Sequence, residues 1–121
     1  MVRFLQRILK LRLSVEQFIS SLRPGNQLIL REFPTERATI RGVSVIDGPQ
    51  GRTLLIGVSD WGERVGAEAY RPIPNRTSQQ IALRDIEEIR FVARGVIMAR
   101  VRGKSSQYYT TILVGPPGYD I

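Results

Sequence analysis

Cysteine and histidine are both absent from this chain. Without them there is no disulfide framework, and neither a thiolate or imidazole metal site nor Cys- or His-based catalysis is open to it. Lysine is nearly absent too. Lys10 and Lys104 are the two, so arginine carries almost all of the excess of 18 cations over 11 carboxylates, a formal net charge of +7. Arginine brings bidentate hydrogen bonding and ring stacking that lysine cannot match, which suits phosphate and RNA surfaces. Codon usage in a GC-rich genome produces the same skew. No apolar run approaches the length of a bilayer-spanning helix. The first residues mix charge with hydrophobicity and lack a separate apolar core, so they do not read as a signal peptide. A cytoplasmic location is expected.

The carboxylates form no recognisable acid/base or metal-ligand pattern. Glu87-Glu88, flanked by Arg84 and Arg90, reads as a solvated, mutually paired face. Asp47-Gly48-Pro49-Gln50-Gly51 lacks the spacing and the basic residue of a phosphate-binding loop and reads as a turn. The expectation is a non-enzymatic protein with no cofactor and no metal.

What is present is the material of one β-rich domain in 121 residues. Ala38–Ile46 and Arg52–Val58 alternate β-branched with small or polar residues on either side of that Asp-Gly-Pro-Gln-Gly turn, the signature of a hairpin. Gln27–Phe33 reads as an earlier strand, Arg90–Val101 and Gln107–Val114 as later ones, and Ile81–Ile89 as strand or short helix. Before them, residues 1–13 carry Arg3, Arg7, Lys10 and Arg12 and no acid, and read as a short basic amphipathic helix. Ser14-Val15-Glu16-Gln17 reads as a capping box, and Val15, Phe18, Ile19 and Leu22 follow as a core-facing stripe. The predicted organisation is a helical segment over 1–23, a small β-barrel over 26–114 with a long loop at 59–80, and a tail at 115–121. One or two helices followed by about five or six short strands point to an α+β or mainly β fold, with closure of the barrel removing free strand edges.

Cations beside aromatic rings are what a single-stranded nucleic-acid surface needs, the cations for phosphates and the rings for bases. The candidate residues are Arg41, Arg52, Arg94, Arg100, Arg102 and Lys104, with Tyr108 and Tyr109 as stacking rings. The simpler reading makes these arginines ordinary surface residues and divides the Tyr pair between core and outer face.

The strand-turn-strand ATIRGVSVIDGPQGRTLLI and the late segment FVARGVIMARV together resemble the layout of Sm-like proteins. That resemblance implies a strongly bent barrel of about five strands, ring-like homo-oligomers and RNA binding. Gly42 and Asp47 fall where the family's first motif has a Gly and a loop Asp, and Arg94-Gly95-Val96-Ile97 falls on its second motif. The family's loop Asn has no equivalent here, and Arg52 or Gln50 would have to serve. Asp60–Gln80 is longer than the usual connection, and Tyr108–Val114 lies beyond the usual end of the barrel.

Three functional readings follow from the sequence. The first is RNA or other nucleic acid bound by the Arg-rich surface. The second is an assembly subunit of a homo-oligomer or heteromeric complex, with Trp61 either as an interface anchor or as a ring tucked over the end of the barrel. The third is peripheral membrane contact, with Phe4, Leu5 and Ile8 buried and Arg7 toward anionic head groups, an arrangement that equally suits docking on a protein partner.

Overall fold

The computed structural model describes residues 14–32, 34–49, 51–67, 69–103 and 109–120. The basic helix expected over 1–13, and with it Phe4, Leu5, Arg7 and Ile8, lies outside them, as do Lys104 and Tyr108.

A seven-residue helix, α1 (Val15–Ser21), opens the described chain. Its capping box forms: the Gln17 amide donates to Ser14 Oγ at 3.2 Å, and the Ser14 amide donates to Gln17 Oε1 at 2.8 Å. Seven residues are too few to hold a helix in water on propensity alone. Burial holds it instead, since Phe18 and Leu22 are fully enclosed and the helix packs against the strand Val96–Arg102. Then come β1 (Gln27–Leu30), β2 (Glu36–Gly48), β3 (Gly51–Arg64), β4 (Tyr70–Pro72), β5 (Ser78–Ala82), a 3-10 turn (Leu83–Asp85), β6 (Ile86–Ala93), β7 (Val96–Arg102) and β8 (Tyr109–Gly115).

All eight strands belong to one antiparallel sheet in the order β4-β3-β2-β1-β8-β7-β6, with β5 paired to β3. This overturns the expected architecture of N-terminal helices on a small five- to six-stranded barrel. The sheet is open, and α1 is the one α-helix among the described residues. The physical reason is strand length. β2 and β3 run to 13 and 14 residues, so the hairpin projects past its neighbours and β3 accepts both β4 and β5 along one edge. The other end of the sheet is β6, and no ladder joins it to β4 or β5.

The long loop expected over 59–80 is largely strand as well. Ser59–Arg64 completes β3, and β4 and the start of β5 lie within the rest. Two bulges bend the β2–β3 hairpin. One carries Arg41 as the extra residue of β2, and the other lies in β3 near Asp60, whose φ of 55° is left-handed.

The sheet has two unlike faces. Leu28, Leu30, Ala38, Ile40, Leu54, Ile56, Ile97, Ala99, Ile112 and Val114 point inward with Phe18 and Leu22 and make one core. Since that core joins β2, β3 and β5 to β6, β7 and β8, the sheet must curl around it although its ends stay apart. Ile29, Val96, Met98 and Leu113 form a second, smaller cluster on the outer face, and Tyr119 of the tail packs on it.

Candidate functional site

Antiparallel register places directly paired residues on one face of a sheet. Following the pairs outward from β1 gives a transverse row Arg37–Ile29–Leu113–Met98–Arg90, in which guanidinium groups flank an apolar floor. The next row is Arg31–Thr111–Arg100–Glu88; the Arg31 amide continues the ladder by donating to the Thr111 carbonyl at 2.8 Å. Five strands are needed to assemble these two rows.

The tail closes one side of this surface. Tyr119 lies on the floor, and Asp120 sits among Arg37, Arg64 and Tyr70. Its Oδ2 is 3.2 Å from Arg37 Nη1 and its Oδ1 is 3.4 Å from Arg64 Nη2, while the Tyr70 hydroxyl donates to Oδ1 at 2.9 Å. The Arg37 guanidinium also stacks over the Tyr70 ring at 3.8 Å. What stays open is a groove of about 600 Å³ rimmed by Arg31, Arg64, Arg90 and Arg100, with Met98 and Leu113 at its base and Glu88 as its carboxylate. Arg90 Nε lies 3.4 Å from Glu88 Oε1.

Tyr109 extends the site along β8. It is exposed, and the Arg100 guanidinium lies 4.7 Å from its ring centroid. Its cross-strand partner is Arg102, whose Nε donates to Glu87 Oε1 at 3.0 Å. The Arg102 hydrogen bonds hold the Glu87 carboxyl below the usual carboxylate range, partial desolvation opposes this, and the Tyr109 hydroxyl lowers it further. The Arg102 guanidinium is raised in turn by the Glu87 hydrogen bond.

The structure thus brings Arg100, Arg102 and Tyr109 together and separates Arg41, Arg52 and Arg94 from them. Arg94 lies in the β6–β7 turn, at the opposite end of β7 from Arg102. Arg41 sits in the β2 bulge, and Arg52, at the hairpin tip, is held by Asp47 at 3.1 Å. Trp61, expected as an interface anchor in a polar loop, lies instead in β3 with 2% of its surface exposed. Its indole N–H donates to Glu36 Oε1 at 2.6 Å, and Arg76 stacks over the ring at 3.9 Å. A ring spent on the protein's own core has no face left for a partner. Arg31, Arg37, Arg64 and Arg90 were missed. Only strand register assembles them, and the sequence carries no local signal for it.

A second cavity of about 390 Å³ opens between β5 and the β7–β8 pair, lined by Glu32, Glu36, Asp85, Arg76 and Arg102. Its polar groups largely satisfy one another: Arg76 Nη1 is 2.8 Å from Glu36 Oε1, and Thr110 Oγ1 donates to Glu32 Oε1 at 2.8 Å. With three carboxylates against two guanidinium groups, both already held by Glu36 and Glu87, it offers no free cation to a phosphate. Among the described residues no group of three or more acidic side chains is arranged to hold a metal ion, and no helix is long and apolar enough to cross a membrane.

No family model, curated protein or solved structure matches the chain.

Proposed function

We propose that the protein binds single-stranded nucleic acid, RNA in the first instance, across the outer face of its sheet, and that it acts by binding and not by catalysis. The observation that carries this reading is the pair of transverse rows in which Arg31, Arg90 and Arg100 edge an apolar floor, with the exposed Tyr109 beside Arg100. Phosphates take the guanidinium rim, where planar bidentate donors match phosphate oxygens. Bases stack on Tyr109 and lie over Met98 and Leu113, contacts that are tolerant of sequence because every base has an apolar face.

The test is fluorescence anisotropy of the full chain with a labelled oligouridine of about twelve nucleotides, a length within the usual footprint of such surfaces. With Arg31, Arg90 and Arg100 each neutralising a phosphate, affinity should fall with salt at a log–log slope of about −2. Charge reversal at Arg31 and Arg100 together should abolish most of that slope while the circular dichroism spectrum stays unchanged. Absence of binding at low salt sinks the proposal, and so does binding that ignores the double reversal.

A further inference from the structure

β6 is the last strand of the sheet, and no described strand pairs with its other edge. Natural sheets usually blunt such an edge with bulges, charge or a covering segment, because a row of unpaired amides and carbonyls templates another strand. β6 has bulges near its two ends, at Glu87 and Val92, and the ladder is regular from Glu88 to Phe91 between them. That stretch keeps regular strand geometry, and its two charges, Glu88 and Arg90, are of opposite sign. Phe91 ends an inner-face row whose other members, Ala38, Leu28, Val114 and Ile97, are buried, yet Phe91 itself is half exposed. A row of core residues that finishes on an exposed ring is an incomplete row.

We propose that this edge pairs with the same edge of a second copy of the chain, antiparallel and two-fold symmetric about Ile89. Charge selects both the occupant and the register. Keeping inner face with inner face restricts the pairing to steps of two residues, because a one-residue slip turns every side chain over. Centring the two-fold on Glu88 sets Glu88 against Glu88, and centring it on Arg90 sets Arg90 against Arg90; both place like charges directly opposite, which is unfavourable. Centring on Phe91 sets Arg90 against the exposed, apolar Val92 and so gives it no carboxylate partner. Centring on Ile89 sets Glu88 of each copy opposite Arg90 of the other. The Glu88–Arg90 ion pair within each strand then becomes part of a closed, neutral set of four charges. In this register Phe91 lies opposite the Glu87 bulge of the second copy and reaches diagonally toward its Ile89, on the inner face where both belong.

The pairing also lays the two outer faces side by side as one continuous sheet. It does not depend on the nucleic-acid reading, since it concerns the strand edge and is measured without ligand.

The experiment is sedimentation of the full-length protein over a concentration series, alongside Glu88→Arg, Arg90→Glu, the double exchange Glu88→Arg/Arg90→Glu, and Glu16→Arg. Glu16→Arg changes the net charge as Glu88→Arg does, but on the exposed surface of α1. The parent should dimerise. Each single reversal should raise the dimer dissociation constant about ten-fold or more, because two symmetry-related pairs turn repulsive together. The double exchange should restore association near the parent value, and Glu16→Arg should leave it unchanged. A parent that stays monomeric at every concentration overturns the proposal. A dimer indifferent to the single reversals overturns it too, as does a double exchange that fails to restore association.

Discussion

The ring of Tyr119 fills the space in which a side chain on Gly115 would begin. A β-carbon built on Gly115 would lie 2.5 Å from both Cγ and Cδ1 of Tyr119 and 2.8 Å from its Cβ. These atoms are the root of the tyrosine side chain, so no rotation of a distant tip relieves the clash. Tyr119 is thereby held on the outer-face floor, and Asp120 follows it to Arg37 and Arg64. Gly115→Ala should force the tail off that floor and destabilise the protein by about 1–3 kcal/mol, the range for overpacking. The check is chemical denaturation of Gly115→Ala, Tyr119→Ala and the double variant. With Tyr119 already removed, adding the methyl group should cost almost nothing, a non-additivity expected only of residues in contact.

Asp60 stands at a backbone angle that most side chains avoid. Its φ of 55° lies in the left-handed region, where aspartate is tolerated and β-branched residues are strained. The bulge at this point lets β3 turn so that Trp61 enters the core. Asp60→Gly should therefore leave the melting midpoint close to that of the parent, whereas Asp60→Val should cost about 1–2 kcal/mol. Equal effects of the two substitutions in thermal denaturation would contradict this reading of the bulge.

Trp61 depends on one carboxylate. Glu36 Oε1 accepts from both the indole N–H and Arg76, so its removal strands a buried donor and loosens the guanidinium over the ring. Glu36→Ala should destabilise by about 1–3 kcal/mol, the cost of an unsatisfied buried group. Glu36→Gln keeps an acceptor for the indole and should cost less. Since Trp61 is the sole tryptophan, its emission reports the change directly, shifting to the red as water reaches the ring.

Local chemistry was legible in the sequence where a short pattern decides the structure. The turn at Asp47–Gly51 is such a place: Gly48 pairs with Gly51, and Gly51 takes a φ of 101°. Ser14 and Gln17 are another. The length of the hairpin was not legible, because the polar run Ser59-Asp60-Trp61-Gly62-Glu63-Arg64 has the composition of a loop and is strand only through its cross-strand partners. Arg90–Val101 read as one strand because Arg94-Gly95 carries no proline, yet Gly95 takes a φ of 74° and reverses the chain. The three-residue spacing of Leu83, Ile86 and Ile89 left Ile81–Ile89 open between strand and short helix; it is strand at both ends, with the 3-10 turn Leu83–Asp85 separating β5 from β6. Barrel closure failed as an expectation for the same reason as loop length: both follow from long-range pairing. The candidate site divides along that line. Arg100 and Tyr109 stood out as a cation near an aromatic residue, whereas Arg31, Arg37 and Arg90 join them only by register across five strands.

The Glu87–Arg102 pair gives the site a defined response to acid. Hydrogen bonding from Arg102 lowers the Glu87 carboxyl below its ordinary value of 4.5. A carboxyl lowered on folding contributes stability that is present above the unfolded value and is lost as pH falls through the lower, folded value. Between those two values an ordinary glutamate is already mostly protonated while Glu87 still holds Arg102. Carbon-detected NMR titration of the side-chain carboxyls should place the Glu87 midpoint below those of unpaired glutamates, and Arg102→Ala should move it up toward the ordinary value. Tyr109→Phe should move it in the same direction by less, since the tyrosine hydroxyl is the weaker of the two hydrogen-bond donors to Glu87. A Glu87 midpoint unmoved by Arg102→Ala would mean that the pair does not persist in solution.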